Sequence, residues 1–427
     1  MRDSLFVMLG GSSLHGLGIA AALLSLVVAA PAVSARPVAQ PPRWVASWTT
    51  SPIPTTTAQS LPVTGGGVAT VRQIVRLTLG GSALRVRFTN RFGTTPLRIA
   101  GAHIALAAGP AAPAILPASD RPLTFGGRAD VDVPAGADFW SDPVQFVAEP
   151  LSDLAITTRF ANPPAQQTGH PGARTRSWIV AGDRLADAAL ADAAPVERWF
   201  QIAAVEVAAP PAARAIVALG DSITDGYGVT EGRNLRWTDG LARRLSATPR
   251  TKEVAVLNHG IGGNCLLAEC SGPNALARFD SDVASQPGAR YVILFEGVND
   301  LGRLGRERVA SVAERQAQVQ QMIAGYRQIV ARARALQLTV IGGTITPFAG
   351  NDYYHPDAAA EAARQAINAW IRTPGHFDAV IDFDAVVRDP ARPDQLLPAY
   401  DSGDHLHPSM DGYRAMADAV PLALFAR

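Results

Sequence analysis

The sequence predicts two folds in series. Residues 44–208 form an all-β sandwich of jelly-roll character, and residues 215–427 form an α/β unit built on a parallel sheet. Three observations predict this. From 44 to 208, short runs that largely alternate apolar and polar residues are separated by Gly, Pro and Asp, with no long amphipathic helix; this is the pattern of strands joined by tight turns. From residue 215 the rhythm changes to short apolar runs alternating with helical stretches, which requires a parallel sheet covered on both faces. A Pro- and Ala-rich segment at 205–213, VEVAAPPAA, separates the two patterns, and the linker is placed at 209–214.

Composition agrees with a folded protein of more than one core. A chain of 427 residues is long for a single ordinary domain. With 48% hydrophobic and 18% charged residues it falls in the globular class. A formal net charge of +1 offers no electrostatic basis for binding nucleic acid or an acidic membrane surface. The 38 Gly and 32 Pro favour many turns over a helical bundle.

Residues 1–35 read as a secretory signal peptide. Arg2 supplies a positive start, GIAAALLSLVVAA at 18–30 an apolar core, and Val33-Ser34-Ala35 a small-x-small cleavage pattern. The core is short for a bilayer span, which disfavours retention as an anchor, and no later run is long enough to span. The expected location is extracytoplasmic, secreted or periplasmic, with residues 36–43 a Pro-containing linker.

In the β half, VRQIVRLTL (71–79) and ALRVRFT (83–89) flank the turn Gly80-Gly81-Ser82. Gln73 and Ile74 fall out of phase with Val75, Leu77 and Leu79, which predicts a bulge or a change of face there. Further strands are expected at 97–106, 129–133, 154–160 and 177–180. In the α/β half, strands are expected at 215–219, 254–257, 291–295, 338–345 and 379–383. Helices are expected at 236–245, 308–336, 358–371 and 412–425. Cys265 and Cys270 are the two cysteines; so close a pair in an exported protein suggests a disulfide, with two buried free thiols as the alternative. Their spacing is poor for zinc.

Ligands of an open parallel sheet bind beyond the carboxyl ends of its strands, so the residues delivered there decide the chemistry. The first strand runs into Gly220-Asp221-Ser222, the second into NHGIGGN at 258–264 and the third into EGVND at 296–300. DSGDHLHP at 401–408 brings Asp404 and His407 just before the last helix. Ser222 alone reads as a turn residue bonded to its own backbone. With a histidine as base and a carboxylate to hold the far imidazole nitrogen, it becomes an acyl-transfer nucleophile. Asp404 precedes His407 by three residues, so one turn can bring them together. The oxyanion candidates are the Ser222 N–H, the Gly263 N–H and the Asn299 side-chain amide.

Together, Gly220-Asp221-Ser222, Asn258…Gly263, Gly297-x-Asn299-Asp300 and Asp404-x-x-His407 resemble the four blocks of the GDSL, or SGNH, hydrolases. Ile223 stands where the family name has Leu. The resemblance covers about residues 215–427, half of the chain. It implies a three-layer α/β/α flavodoxin-like sheet, no metal or other cofactor, Ser222, Gly263, Asn299 and His407 in the four signature roles, and Asp404 orienting the histidine. Gly263 is preferred to Gly260 and Gly262 because the family's oxyanion glycine lies five residues after the block's Asn. The β half lies outside the signature and looks like the β-sandwich companions of some secreted GDSL esterases, by architecture alone.

Other polar residues near these blocks have plainer readings. Asp221, Asp225 and Asp300 read as turn braces. His405 reads as a surface or packing residue, and His259 as lining the pocket or simply packing. A metal site on Asp404, His405 and His407 would need a ligand from a third element. Trp237, Tyr227, Glu296, Tyr353 and Tyr354 either shape the cleft or belong to core or rim. The expected activity is that of a secreted serine esterase working through an acyl-enzyme on short-chain or acetyl esters, with an acetylated polysaccharide or a small molecule as substrate. Alternatives are a lipase or phospholipase, and a non-catalytic carbohydrate-binding protein with a decayed hydrolase half. The sequence carries no Gly-x-Ser-x-Gly elbow, and the placement of Ser222 suggests a shallow site open to bulky esters. It does not set the oligomeric state.

Overall fold

The run RAIVALG forms the strand Arg214–Gly220, buried from Ala215 onward, in a computed structural model that describes residues 10–11, 43–62 and 68–426. The signal-peptide reading and most of linker 36–43 therefore fall outside the described residues. Arg214–Gly220 pairs in parallel with Val254–Gly260 on one side and Ala289–Phe295 on the other. Thr339–Gly343 and Ala379–Ile381 extend the sheet beyond Ala289–Phe295. Counting these five strands along the chain, the order is 2-1-3-4-5, the flavodoxin-like order, whose crevice opens between strands 1 and 3. Right-handed crossovers that first run one way and then reverse put helices on both faces. Trp237–Ser246 packs with Met410–Ala419, and Val312–Ala335 packs with Ala358–Arg372.

Capping explains where the helices start. Ser311 and Glu314 form a capping box at the head of Val312–Ala335, and Asp357 and Ser409 cap the next two long helices. The same chemistry shortens two expected elements. The strand expected to reach residue 383 stops at Ile381, because the Asp382 side chain accepts from the Ala385 N–H and starts the helix Phe383–Val387. The last helix ends at Ala419 before Pro421, whose ring cannot continue it, and a single 3-10 turn, Leu422–Phe425, follows. The expected helix from 308 begins at Val312, and a separate helix, Val298–Gly305, precedes it.

The first half consists of antiparallel sheets. One is built on Arg43–Thr49, Ile202–Ala209 and Gly81–Thr89, with Asp138–Trp140 and Val144–Ala148 both pairing with the last. The other runs from Ala194–Val196 through Ser177–Ala181, Val68–Arg76, Asp153–Ala161 and Leu97–Leu106, with Arg121–Leu123 and Val131–Val133 on its outer strand. A small third sheet joins Trp199–Phe200, Thr168–His170 and Ile53–Pro54. The bulge expected at Gln73 and Ile74 is absent, since Val68–Arg76 keeps continuous register with both neighbours. Its broken alternation has another cause: Arg72 and Gln73 are buried and bonded, Arg72 Nε to Thr157 Oγ1 at 2.9 Å and Gln73 Nε2 to the Phe200 carbonyl at 3.0 Å. The connector expected from 205 is a strand as far as Ala209, which leaves 210–213 between the halves.

Pro42–Arg427 is one compact unit, and the two halves share a polar seam. Thr78 Oγ1 accepts the Val256 N–H at 3.0 Å, Arg87 reaches Gln286 at 3.0 Å, and the Ala46 N–H donates to the Pro287 carbonyl. Cys265 and Cys270 form a disulfide. Because the closed loop is short, the chain-entropy argument gives it about 2 kcal/mol; Cys265→Ser with Cys270→Ser is expected to lose about that much in urea unfolding.

Candidate active site

Ser222 sits where the sheet stops. Gly220 ends the strand, Asp221 accepts the Ile223 N–H at 2.9 Å, and the single helical turn Ser222–Asp225 begins. Gly226 closes the turn at φ +90°, a conformation that favours glycine. Two glycines are required by contact alone: a Cβ on Gly220 would stand 2.3 Å from Thr224 Oγ1, and one on Gly260 would stand 2.2 Å from the Asp225 nitrogen. Gly260 thus serves close packing of this turn.

The segments predicted to meet do meet. Ser222 Oγ lies 2.8 Å from His407 Nε2, and His407 Nδ1 lies 2.6 Å from Asp404 Oδ2. The other carboxylate oxygen, Oδ1, accepts the His407 N–H at 2.8 Å and the Leu406 N–H at 3.0 Å. Burial raises the Asp404 pKa, but the His407 side-chain and backbone hydrogen bonds outweigh it and hold the carboxyl well below its usual range. Asp404 is therefore ionised at neutral pH. The Tyr227 ring packs against His407, tilted by 32° with centroids 4.1 Å apart.

Opposite the histidine, Asn299 projects from the first turn of Val298–Gly305. The Tyr354 hydroxyl donates to Asn299 Oδ1 at 2.6 Å, and Asn299 Nδ2 donates to the Asn264 carbonyl at 2.6 Å. These partners fix which way the amide points and leave its second N–H for another acceptor. Gly262 and Gly263 line the same cleft, with Gly263 at φ +73°. Asp300 accepts the Leu266 and Leu267 N–H groups at 2.7 and 3.0 Å, which braces the loop after the glycines. Asn299→Ala is expected to lower kcat about 10²- to 10³-fold with KM little changed, measured on a chromogenic ester.

The secondary candidates sort clearly. His405 is turned to Asp401 at 2.6 Å and is half exposed, away from Ser222. His259 is buried below the cleft, with Nδ1 3.0 Å from Ser51 Oγ. Trp237 and Glu296 are core, whereas Tyr227, Tyr353 and Tyr354 line the cleft. Asp221, Glu296 and Asp300 form a buried acidic group next to Ser222. Burial lifts Asp221 to about 7 and Asp300 to about 6, and it raises Glu296 as well. No group of three or more ligand-type side chains suited to a metal occurs among the described residues.

The cleft, about 360 Å³, includes Ser222, which is 5% exposed. The antiparallel half lines it together with Ser222, Asn299 and His407, through Ile53, Gln59, His170, Gly172 and Arg174, residues that the sequence did not single out. No motif marks these residues: Ile53 and His170 lie on strands of two and three residues, Gln59 ends a 3-10 turn, and Gly172 and Arg174 lie on no strand.

Residues 218–415 match the model of the family described as the GDSL-like Lipase/Acylhydrolase family. No curated protein matches the chain. Solved structures similar to it include an acetylxylan esterase from Geobacillus stearothermophilus, 22% identical over 48% of this chain and 91% of that one, with a TM-score of 0.35. A GDSL-like lipase from Bacteroides thetaiotaomicron is 19% identical over 49% of this chain and 87% of that one, TM-score 0.36. A member of the lipolytic protein G-D-S-L family from Veillonella parvula is 22% identical over 50% of this chain and all of that one (100%), TM-score 0.34.

Proposed function

From the premise that residues 218–415 belong to the GDSL-like lipase/acylhydrolase family, and that the protein is accordingly a carboxylic ester hydrolase, we propose that it works as a serine esterase with Ser222 as nucleophile. The observation that carries this is the continuous contact from Ser222 Oγ through His407 to Asp404, at 2.8 and 2.6 Å. Ser222 Oγ attacks the ester carbonyl carbon and its proton passes to His407 Nε2. Asp404 holds the imidazole in the tautomer that accepts it and steadies the imidazolium. The negative oxygen of the tetrahedral intermediate is met by the N–H groups of Ser222 and Gly263 and by the free N–H of Asn299. The carbon–oxygen bond breaks, and the alcohol leaves with the proton from His407. Water then attacks the acyl-enzyme, gives its proton to His407, and the acid departs as that proton returns to Ser222.

Short acyl chains, acetyl above all, fit best. Each methylene buried contributes about 0.8 kcal/mol, so preference for long chains needs a continuous apolar groove. The aliphatic lining here is Ile53, Ile261 and Leu406, interrupted by glycines, Gln59 and Arg174. The exposed parts of the Tyr227 and Tyr353 rings, 46% and 58%, give the cleft an aromatic rim that a sugar alcohol can contact. A second reading, a lipase, is favoured by Val309 and Val312, exposed beyond the Arg306–Tyr353 contact. An extracytoplasmic location is supported by the leader-like residues 1–35 and by the disulfide; among the described residues no helix is long and apolar enough to cross a membrane. The test is kcat/KM on p-nitrophenyl esters of graded chain length, then acetate release from acetylated polysaccharide. A maximum at short chains, about two to four carbons, is expected because there is no continuous apolar groove to reward further methylenes; a maximum at long chains supports the lipase and overturns this reading.

A further inference from the structure

Asp225 closes the turn that carries Ser222, and it is one of the most tightly held side chains in the molecule. Its Oδ1 meets His170 Nε2 at 2.9 Å and its Oδ2 meets Arg174 at 3.0 Å. Both partners come from the antiparallel half, which nothing in the family match covers. The other nitrogen of His170, Nδ1, lies 2.9 Å from the Ser51 carbonyl. Asp225 thus faces the His170 ring and the Arg174 guanidinium of the antiparallel half, and Arg236 Nε donates to its backbone carbonyl at 3.0 Å. Burial raises the Asp225 pKa, but His170, Arg174 and Arg236 more than offset it and leave the carboxyl below its usual value.

The fit is close as well as charged. A Cβ on Gly172 would stand 2.1 Å from Asp225 Oδ2, so the segment from His170 to Arg174 wraps directly against this carboxylate. The same segment reaches the base. The Arg174 guanidinium lies 5.3 Å from the centroid of the Tyr227 ring, which itself packs against His407. The opposite end of the nucleophile turn is held in parallel: Arg278 donates to the Gly220 carbonyl at 2.8 Å and to Asp282, which accepts from Ser51 at 2.6 Å.

We propose that His170 and Arg174 are positioning residues: by gripping the two oxygens of Asp225 they fix the turn that aims Ser222 at its substrate. The antiparallel half is then part of the catalytic apparatus and not a detachable binding module. This rests on Ser222 being the nucleophile. A misplacement of about 1 Å costs on the order of a hundredfold in rate, and the effect falls on kcat because it is Ser222 that moves, while Ile53, Gln59 and Gly172 still line the cleft.

The experiment uses full-length His170→Ala, His170→Gln and Arg174→Met with p-nitrophenyl acetate, reading kcat and KM, the rate of covalent labelling by a fluorophosphonate, and folding by circular dichroism. His170→Ala is expected to lower kcat and the labelling rate about 10- to 100-fold with KM within about threefold. His170→Gln, whose amide N–H still reaches Asp225, should restore most of the loss. Arg174, at the cleft edge, is the arm least needed for folding, so Arg174→Met carries the test if His170→Ala does not fold, with a loss of about tenfold. Folded variants with kcat and labelling rate within about twofold of the parent overturn the proposal; so does a rise in KM with kcat unchanged, which would make these residues a substrate wall only. Ser222→Ala separates the two levels: activity persisting in Ser222→Ala overturns the esterase site itself, whereas activity lost there but kept in His170→Ala overturns only the positioning role.

Discussion

Ser222→Ala is expected to lower kcat for ester hydrolysis about 10⁶-fold, with folding and KM nearly unchanged. In the proposed mechanism the hydroxyl oxygen forms the new bond, and its side-chain contact is with His407 Nε2 at 2.8 Å. Its loss therefore leaves no buried donor stranded and opens a space smaller than a water. Asp404→Asn should cost less, about 10⁴-fold, because the nucleophile and base survive but the amide no longer holds the productive tautomer. Asp404 is ionised at neutral pH through its bonds to His407, so its replacement removes a charge facing the imidazolium as it forms. Steady-state rates on a soluble acetate ester, with melting curves as control, check both. Activity of Ser222→Ala within about tenfold of the parent would place the nucleophile elsewhere.

The largest effect on stability is expected at Arg278. Its side chain is 3% exposed and spends every nitrogen: Nε on Asn264 Oδ1 at 3.0 Å, one terminal nitrogen on the His259 carbonyl at 2.7 Å and on Asp282 at 2.9 Å, the other on the Gly220 carbonyl at 2.8 Å. It joins the ends of strands 1 and 2, the loop after strand 2 at Asn264 and, through Asp282 and Ser51, the antiparallel half. Arg278→Met keeps much of the volume but removes the closest cation from buried Asp282, leaving it Ser51, Ser281 and Arg91 at 3.7 Å, a loss of about 3–5 kcal/mol in denaturant unfolding. The pH dependence has a definite sign. Burial raises Asp282, but His259, Arg278 and the Ser51 hydroxyl outweigh it and hold it at about 2. A depressed carboxylate contributes stability above its unfolded pKa, about 3.9, and that stability is lost as pH falls toward 2. Without Arg278 the folded pKa rises, so this contribution disappears and acid unfolding should begin at higher pH than in the parent. A variant with unchanged midpoint and unchanged acid limb would show that the bolt carries no load.

Much of the site is readable from residues alone because its rules are local. A strand ends where Gly220 and Asp221 interrupt an apolar run, and a capping aspartate starts the turn that presents Ser222. Asp404 and His407 lie within one turn of each other, so their pairing needs no distant partner. The order of apolar runs and helices implies the parallel sheet, and a parallel sheet gathers its strand ends at one edge. For the same reason Ser222, Gly263, Asn299 and His407, spread over 185 residues from Ser222 to His407, are recognisable as one constellation before any coordinate is known. The sequence misleads where a local rule meets a tertiary exception. Gln73 breaks an alternation without a bulge because it finds a buried partner in Phe200, and 379–383 ends early because Asp382 caps a helix.

What only the folded molecule decides is the contribution of the first half to the second. His170 is 55 residues from Asp225 and Ser51 is 231 from Asp282. Thr168–His170 is three residues long, too short to carry a periodic signal, and Arg174 belongs to no strand. Their positions are set when antiparallel register brings Thr168–His170 against Ile53–Pro54 and Trp199–Phe200, and when the seam of the two halves closes. Pairing and capping act over a few residues and leave a trace in composition. The meeting of two packed halves acts through surfaces assembled from distant segments, and a linear chain has no short-range pattern that encodes it.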